Sequence, residues 1–492
     1  MNRMLALVLT WVVVSMISLL CFAEAPMYNN VTLVPHTKEK IYEIKNSNAE
    51  RRNGEIKRVH KHHKRRKIHH QQYSTMRCRR GADEYSPSHT SVCEFNNVCW
   101  DHQQHSFIFF QPPAAPEARL ATLRGTVTLR EALQDKNNYF VNLRRVEAKN
   151  NVPLPLQIVA KHFPANTMEY DGAPVHVLFQ SYWPENFGHA ILDDVMPVYA
   201  MMKIFNRFSR GVQVMTLAEM TGILGQWSRE SGVAHTRSRK FLTQFVSLIS
   251  NRTIIEMSRT EKFSHSRIGQ YVCFRHLLVG GGYLGLTYDR GFVISEFVAY
   301  MLESAKEKSL EVKRAIEAPI EQQQIVVIKK VGRRSVLNIE DIHQRLVLAY
   351  PNANVLLLDP SRIPLNEQIA IAQRTTVVFT PCGGISYFAL FLRAQASAVI
   401  SGYWNPGTKR SHNMEFMTWQ YFDRITTLYY DVQQPEITIE PPGNVTRRNP
   451  DDYRDYGALT LDPARFLPLM ATAVGLSGDA LGLHGHQTAE NE

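Results

Sequence analysis

Between Gln324 and Gly402, short apolar runs alternate with segments of helical period, and few architectures accept that pattern. Gln324–Lys330 (QIVVIKK), Asn354–Asp359 (NVLLLD), Thr376–Thr380 (TVVFT) and Ser397–Gly402 read as strands. Ile339–Tyr350, Leu365–Gln373 and Ile385–Leu392 read as helices between them. The alternation predicts a parallel, doubly wound sheet, in which ligands sit beyond the carboxyl ends of the strands.

Upstream, Val175–Tyr182 reads as a strand and leads into Asn186–Pro197 (NFGHAILDDVMP). Ile191, Val195, Val198 and Met202 recur at three- and four-residue steps, so a helix is expected to about Phe205. His189 and Asp193 are four apart and share one helix face. An imidazole beside a carboxylate at a helix start is an acid/base candidate; the same residues also serve simply to cap and solvate a surface helix. Phe241–Ile249 reads as a helix, Gln270–Gly280 as a buried strand, and Phe292–Ile316 as one long amphipathic helix. Pro319 and three glutamines mark a linker.

The 492-residue length exceeds what one core supports, so two domains with appendages are expected. The net charge of +11 is local, because residues 51–80 hold twelve Lys or Arg and one acid, Glu55. The rest of the chain balances, which excludes a globally basic nucleic-acid binder. The N-terminus has a basic start, an apolar run from Leu5 to Phe22 and an Ala23-Glu24-Ala25 site. It reads as a cleaved secretory signal or an uncleaved type II anchor, and either routes the chain into the secretory pathway. Residues 26–90 are expected to form a basic, largely disordered stem. Sequons at Asn30, Asn251 and Asn444 suit a luminal chain. Cys78, Cys93 and Cys99 cluster ahead of the main body, and one disulfide is expected among those three. Pro, Gly and charge increase after Gln433, and Leu476–Glu492 is expected to be disordered.

Chemistry concentrates at strand ends. Pro381-Cys382-Gly383-Gly384 joins a strand to a helix, where close backbone approach and N–H groups favour an anion such as diphosphate. Ser386 adds a hydroxyl; a tight turn that binds nothing has the same sequence. Lys329, Lys330, Arg333 and Arg334 surround Val331-Gly332 at another strand end, as phosphate binders or as exposed loop charges. Asn338 is an N-cap candidate, and Glu367 and Gln368 either reach a ribose or face solvent. The chain has no Asp-x-Asp triplet, which favours neutralising a diphosphate with cations and N–H groups.

Three ordered blocks over roughly residues 170–430 resemble glycosyltransferase family 61, which includes plant xylan-decorating enzymes and animal O-linked N-acetylglucosaminyltransferases. The first is N-x-x-H-x-x-x-D, here Asn186, His189 and Asp193 with Asp194 and Pro197 following. The second is like R-x-x-R-x-x-x-N, here Lys329 through Asn338. The third resembles H-G-A-G-L-T-N after a helix carrying E-Q, here Glu367-Gln368 and then Pro381 to Tyr387. This chain departs from the family pattern with Lys329 for Arg, Pro381 for His and Tyr387 for Asn.

The resemblance implies an α/β fold of GT-B type, with two Rossmann-like domains facing across a cleft. The expected division is a signal or anchor (1–25), stem (26–90), acceptor-side domain (91–318), nucleotide-sugar domain (319–435) and a partly disordered extension (436–492). It also implies an inverting glycosyltransferase with no required cofactor, moving a sugar from a UDP donor to a glycan or glycoprotein in the Golgi or ER lumen. Asp193 is the expected base, with His189 orienting it and Asp194 as a further catalytic candidate. Lys329, Arg333, Arg334, Asn338, Glu367, Gly383, Gly384 and Ser386 are the expected donor contacts. The competing expectation is a catalytically silent secretory protein that keeps this fold to bind glycan or a partner.

Overall fold

Two sheets and the helices between them organise the chain. The computed structural model describes residues 31–32, 73–80, 91–112, 119–122, 125–128, 155–160, 168–179, 181, 184, 186–217, 240–257, 271–280, 290–413, 415–439 and 457–483. The apolar N-terminal run, most of the expected stem, and the sequons at Asn30 and Asn444 lie outside these residues. Asn251 lies within them and is exposed. Among the described residues no helix is long and apolar enough to cross a membrane.

The first sheet is mixed. Its spine runs from β1 (Ser91–Asp101) through β5 (Tyr271–Val279) and β2 (His176–Leu178) to β3 (Gln213–Thr216) and β4 (Ile255–Glu256). The last four strands are parallel, while β1 pairs antiparallel with β5. A further strand, Thr75–Arg80, pairs antiparallel with β1. The ordered body therefore starts well before residue 91, inside the segment expected to be stem. Met76 is buried there, and Arg77, Arg207 and His276 converge on the buried Glu94. Half-burying one basic residue against a sealed carboxylate outweighs the basic composition around it.

The cysteines include one bond that the sequence reading did not foresee. Cys99 bonds to Cys273, directly opposite it in the β1–β5 ladder. Cys93 is disulfide-bonded as well, and lies across from Cys78 in the Thr75–Arg80 ladder. Sequence distance hid the first pair, because antiparallel register brings together residues 174 positions apart.

The second sheet follows the alternation closely. β6 (Gln324–Ile328), β7 (Asn354–Leu358), β8 (Val377–Pro381), β9 (Ser397–Ser401) and β10 (Thr426–Tyr430) are all parallel, in the order β7-β6-β8-β9-β10. That order reverses between β6 and β8, so the crevice at their carboxyl ends is the topological switch point.

Helices fill the space between the sheets. After β2 the chain makes one turn (Phe187–His189), a π segment (Ala190–Val195), then α1 (Met196–Ile204). These pack with α2 (Lys240–Ile249), α3 (Arg290–Lys308) and α6 (Leu365–Arg374) into one core that spans both units. Phe245 stacks on Phe391 across it, at 6.3 Å. The expected 292–316 helix is broken, because Ser309 ends α3 and caps α4 (Leu310–Glu317) with its side chain. On the far side of the second sheet lie α5 (Ile339–Ala349) and α7 (Pro463–Leu481), with Phe466 and Met470 buried. Order thus continues past Leu476 to residue 483, and the extension packs onto the second sheet rather than trailing from it.

Candidate active site

The loops at the carboxyl edge of the second sheet pass through positive-φ backbone. Gly332 (φ +86) and Arg334 (φ +56) carry the loop after β6 through the left-handed region. Gly383 (φ +102) does the same after β8. A Cβ at Gly383 would lie 2.7 Å from Arg334 Nη2 and 3.0 Å from Lys330 Nζ, so both cations press on the turn. Lys330 Nζ donates to the Cys382 carbonyl at 2.9 Å, tying the β6 end to the β8 end across the switch point.

Burial dominates the electrostatics. Enclosure, reinforced by the like charge of Arg334, lowers the Lys330 ammonium to about 7. Burial pushes the Cys382 thiol up to about 11, which makes it a poor nucleophile at neutral pH. Glu415 is raised by burial, against the pull of Arg334 and the Gly383 N–H.

The opposing wall comes from the first unit. Asn186 caps the Phe187–His189 turn, accepting from Gly188 N at 3.0 Å and His189 N at 3.3 Å. Gly188 then meets the second unit: a Cβ there would lie 2.6 Å from the Tyr387 ring and 2.7 Å from Gly384 Cα. Just beyond, His189 Nδ1 and Asp193 Oδ2 are 2.5 Å apart, with side chains 32% and 9% exposed. The imidazole is thus the more accessible partner. Asp193 and Asp194 lie in the π segment, a distortion frequent at functional sites. Asp194 is buried and accepts a hydrogen bond from Ser181 Oγ.

The structure brings together His189, Asp193, Lys330, Arg334, Gly383 and Gly384. Arg333 is half-buried, and its charge bears on Lys330. Ser386 is buried in the short helix after the turn, its N–H donating to Gly383 O. Lys329 instead pairs with Glu340 on the surface. Asn338 does not cap α5 with its side chain; it clasps Leu461 through both amide atoms, at 2.8 and 3.0 Å. Glu367 is half-exposed in the first turn of α6, while Gln368 is buried and holds the carbonyls of Pro360 and Ile363.

The family model described as Glycosyltransferase 61 matches residues 187–400. That segment is a glycosyltransferase family 61 domain. The match supports glycosyltransferase activity in general, with a sugar donor and an acceptor as substrates. No curated protein gives a match to the chain.

Within the matched segment, Tyr387 forms a wall. Its ring stacks on Trp419 at 5.6 Å and its hydroxyl lies 3.3 Å from Thr418 Oγ1. Sequence reading missed Glu415, whose Oε1 accepts the Gly383 N–H at 2.5 Å. Only the fold joins positions 32 residues apart, and no local signal marks them. It also left Lys330 as one charge among four, whereas the fold singles it out by seating its ammonium on the Cys382 carbonyl.

Proposed function

We propose that this chain is an inverting glycosyltransferase of GT-B type, moving a sugar from a UDP donor to a glycan or glycoprotein in the secretory pathway. One observation carries the reading: the capped Asn186–His189 turn of one unit sits on the Gly383–Gly384 turn of the other. On this reading the His189–Asp193 contact is the acid/base pair, and the cation-lined glycine turn at the switch point is the anion site. The absence of Asp-x-Asp and the apolar N-terminal run support the donor and compartment parts.

In this mechanism the donor diphosphate lies against the Gly383–Gly384 turn, with Lys330 and Arg334 beside it. The acceptor hydroxyl gives its proton to the His189–Asp193 pair as its oxygen attacks the anomeric carbon. On the opposite face the bond from that carbon to the diphosphate oxygen breaks, and the diphosphate leaves with the electron pair. Lys330, Arg334 and Arg333 stabilise the charge that develops there. Within the pair, an Nδ1–H donated to Asp193 makes Nε2 the basic nitrogen. We therefore assign proton uptake to His189 and orientation to Asp193. The nucleotide sugar is a substrate, and this reading requires no further cofactor.

A thermal-shift panel of nucleotides on the full chain, followed by transfer assays, tests the proposal. Ligand at a hundred times its Kd stabilises by about 2.7 kcal/mol. The expected result is a selective UDP response that Arg334→Ala abolishes. A protein that responds to no nucleotide and transfers no sugar from any UDP donor sinks the reading.

A further inference from the structure

Glu415 lies beyond the 187–400 segment that the family model matches, and no motif in the sequence includes it. The residue is 5% exposed, and its Oε1 is fixed on the Gly383 N–H. Its other oxygen, Oε2, is sealed from solvent and has no hydrogen-bond partner among the described residues. Ser411 Oγ and Asn413 Oδ1 are in the same condition, and both crowd Gly402 at the carboxyl end of β9. Buried polar atoms without partners are rare, because they lose water and gain nothing in exchange. Here three fall within five residues of chain, along the sheet edge that also carries the Gly383–Gly384 turn.

We propose that Glu415, with Asn413 and Ser411 beside it, forms a hydroxyl-reading subsite for a sugar ring joined directly to the donor's diphosphate. The proposal rests on reading the glycine turn as the diphosphate site. A sugar hydroxyl both donates and accepts, so it satisfies Oε2 in either protonation state of the carboxyl, whereas phosphate oxygens only accept and cannot serve the carboxylate form. The Gly383 N–H holds Oε1 still, and burial raises the carboxyl against the pull of Arg334 and Lys330. Glu415 repels a bare diphosphate and welcomes one that brings a hydroxyl. Sites with such buried acceptors discriminate strongly against ligands that lack the donor group. The ring is either the ribose or the transferred sugar, since both flank the diphosphate.

Calorimetric titration of the full chain with pyrophosphate, UDP, UDP-xylose and UDP-N-acetylglucosamine compares wild type with Glu415→Gln. The amide keeps one oxygen for Gly383 and replaces the second acceptor by a donor. Pyrophosphate is expected to bind the variant as well as or better than wild type, because a like charge is gone. The hydroxyl-bearing ligand is expected to weaken about ten-fold or more. A loss shared by UDP and the UDP-sugars assigns the ribose; a loss confined to a UDP-sugar assigns the transferred ring. Unchanged affinity for UDP and both UDP-sugars, or equal weakening of pyrophosphate and the nucleotides, overturns the subsite. Should Glu415→Gln fail to fold, Asn413→Ala reads the same difference without touching Gly383, and unchanged discrimination there overturns the proposal. A wild type that binds neither pyrophosphate nor any nucleotide refutes the diphosphate site itself, an outcome distinct from failure of the subsite alone.

Discussion

Gly188 and Gly384 are in backbone contact, each leaving no room for a side chain on the other's account. A Cβ on Gly188 would sit 2.7 Å from Gly384 Cα, and one on Gly384 would sit 3.0 Å from Gly188 N and drive into the Asn186 side chain. The first and third blocks of the family pattern are therefore one structural joint. Gly384→Ala is expected to cost about 1–3 kcal/mol by overpacking and to reduce transfer more than stability, because it pushes the acid/base turn from the diphosphate turn. Chemical denaturation and kcat on the same preparation separate the two effects. Normal activity at normal stability would mean that the joint is not part of the site.

The His189–Asp193 pair predicts a particular pattern of mutant kinetics. Asp193→Asn and His189→Ala should each lower kcat by about 10²–10⁴-fold while UDP affinity stays close to wild type. Because the two act as one unit, the double variant should lose little beyond the worse single variant. Steady-state kinetics with UDP titration checks this. Additive losses would separate the residues, and a loss of UDP binding would move them to the donor site.

Lys330 predicts the pH dependence. Burial lowers its folded-state ammonium to about 7, whereas a lysine in an unfolded chain titrates near 10.4. Between those values the unfolded chain holds the extra proton, so Lys330 makes stability rise with pH there, and its penalty is complete below 7. Donor binding runs the other way, since a diphosphate favours the ammonium. UDP affinity should fall as pH climbs above about 7, approaching ten-fold per pH unit. Lys330→Arg, charged throughout, should flatten that slope. Titrations from about pH 6 to about pH 9 decide it; the same slope in both proteins would remove Lys330 from the site.

What the sequence disclosed depended on whether a feature was local. The second sheet was legible because Ile325–Ile328 and Val377–Phe379 are uninterrupted buried apolar runs flanked by periodic helices. The His189–Asp193 contact followed from a four-residue spacing alone. The mixed first sheet was not legible. Asn96-Asn97 interrupts β1 and Asn97 takes φ +53, so a continuous strand reads like a turn. Glu415 and the Cys99–Cys273 bond depend on contacts that only the assembled fold creates. The helix expected over Ile385–Leu392 is a 3₁₀ helix over Gly384–Phe391, entered through the positive-φ Gly383.

The Cys99–Cys273 bond closes a 174-residue separation that encloses most of the first sheet. The chain-entropy relation puts its contribution at about 5 kcal/mol as an upper value, lowered by any other cross-link within the loop. Replacing both cysteines by alanine should depress the melting temperature. The bond lies in the first sheet and the glycine turn follows a strand of the second, so UDP affinity of the surviving folded fraction should hold. An unchanged melting temperature would show that the ladder, not the cross-link, fixes this register.

The C-terminal helix gives the most direct test of where the second unit ends. Pro468, Gly475 and Gly478 make α7 look like a loop, since each disfavours a helix interior. Packing overrides them. Phe466 is fully buried, 4.8 Å edge-on to Phe379 in β8 and 6.0 Å from Tyr430 in β10. Asp462 caps the helix, and Arg465 bonds the buried Glu436 at 2.8 Å. Phe466→Ala should therefore cost about 3–5 kcal/mol, as for a core phenylalanine. Because β8 leads directly into Pro381 and the glycine turn, the same change should loosen UDP binding as well as the fold. Truncation after residue 435 should be worse, exposing the sheet face that α7 covers. If a chain ending there folds and binds UDP like wild type, α7 is an appendage and the boundary expected from sequence composition stands.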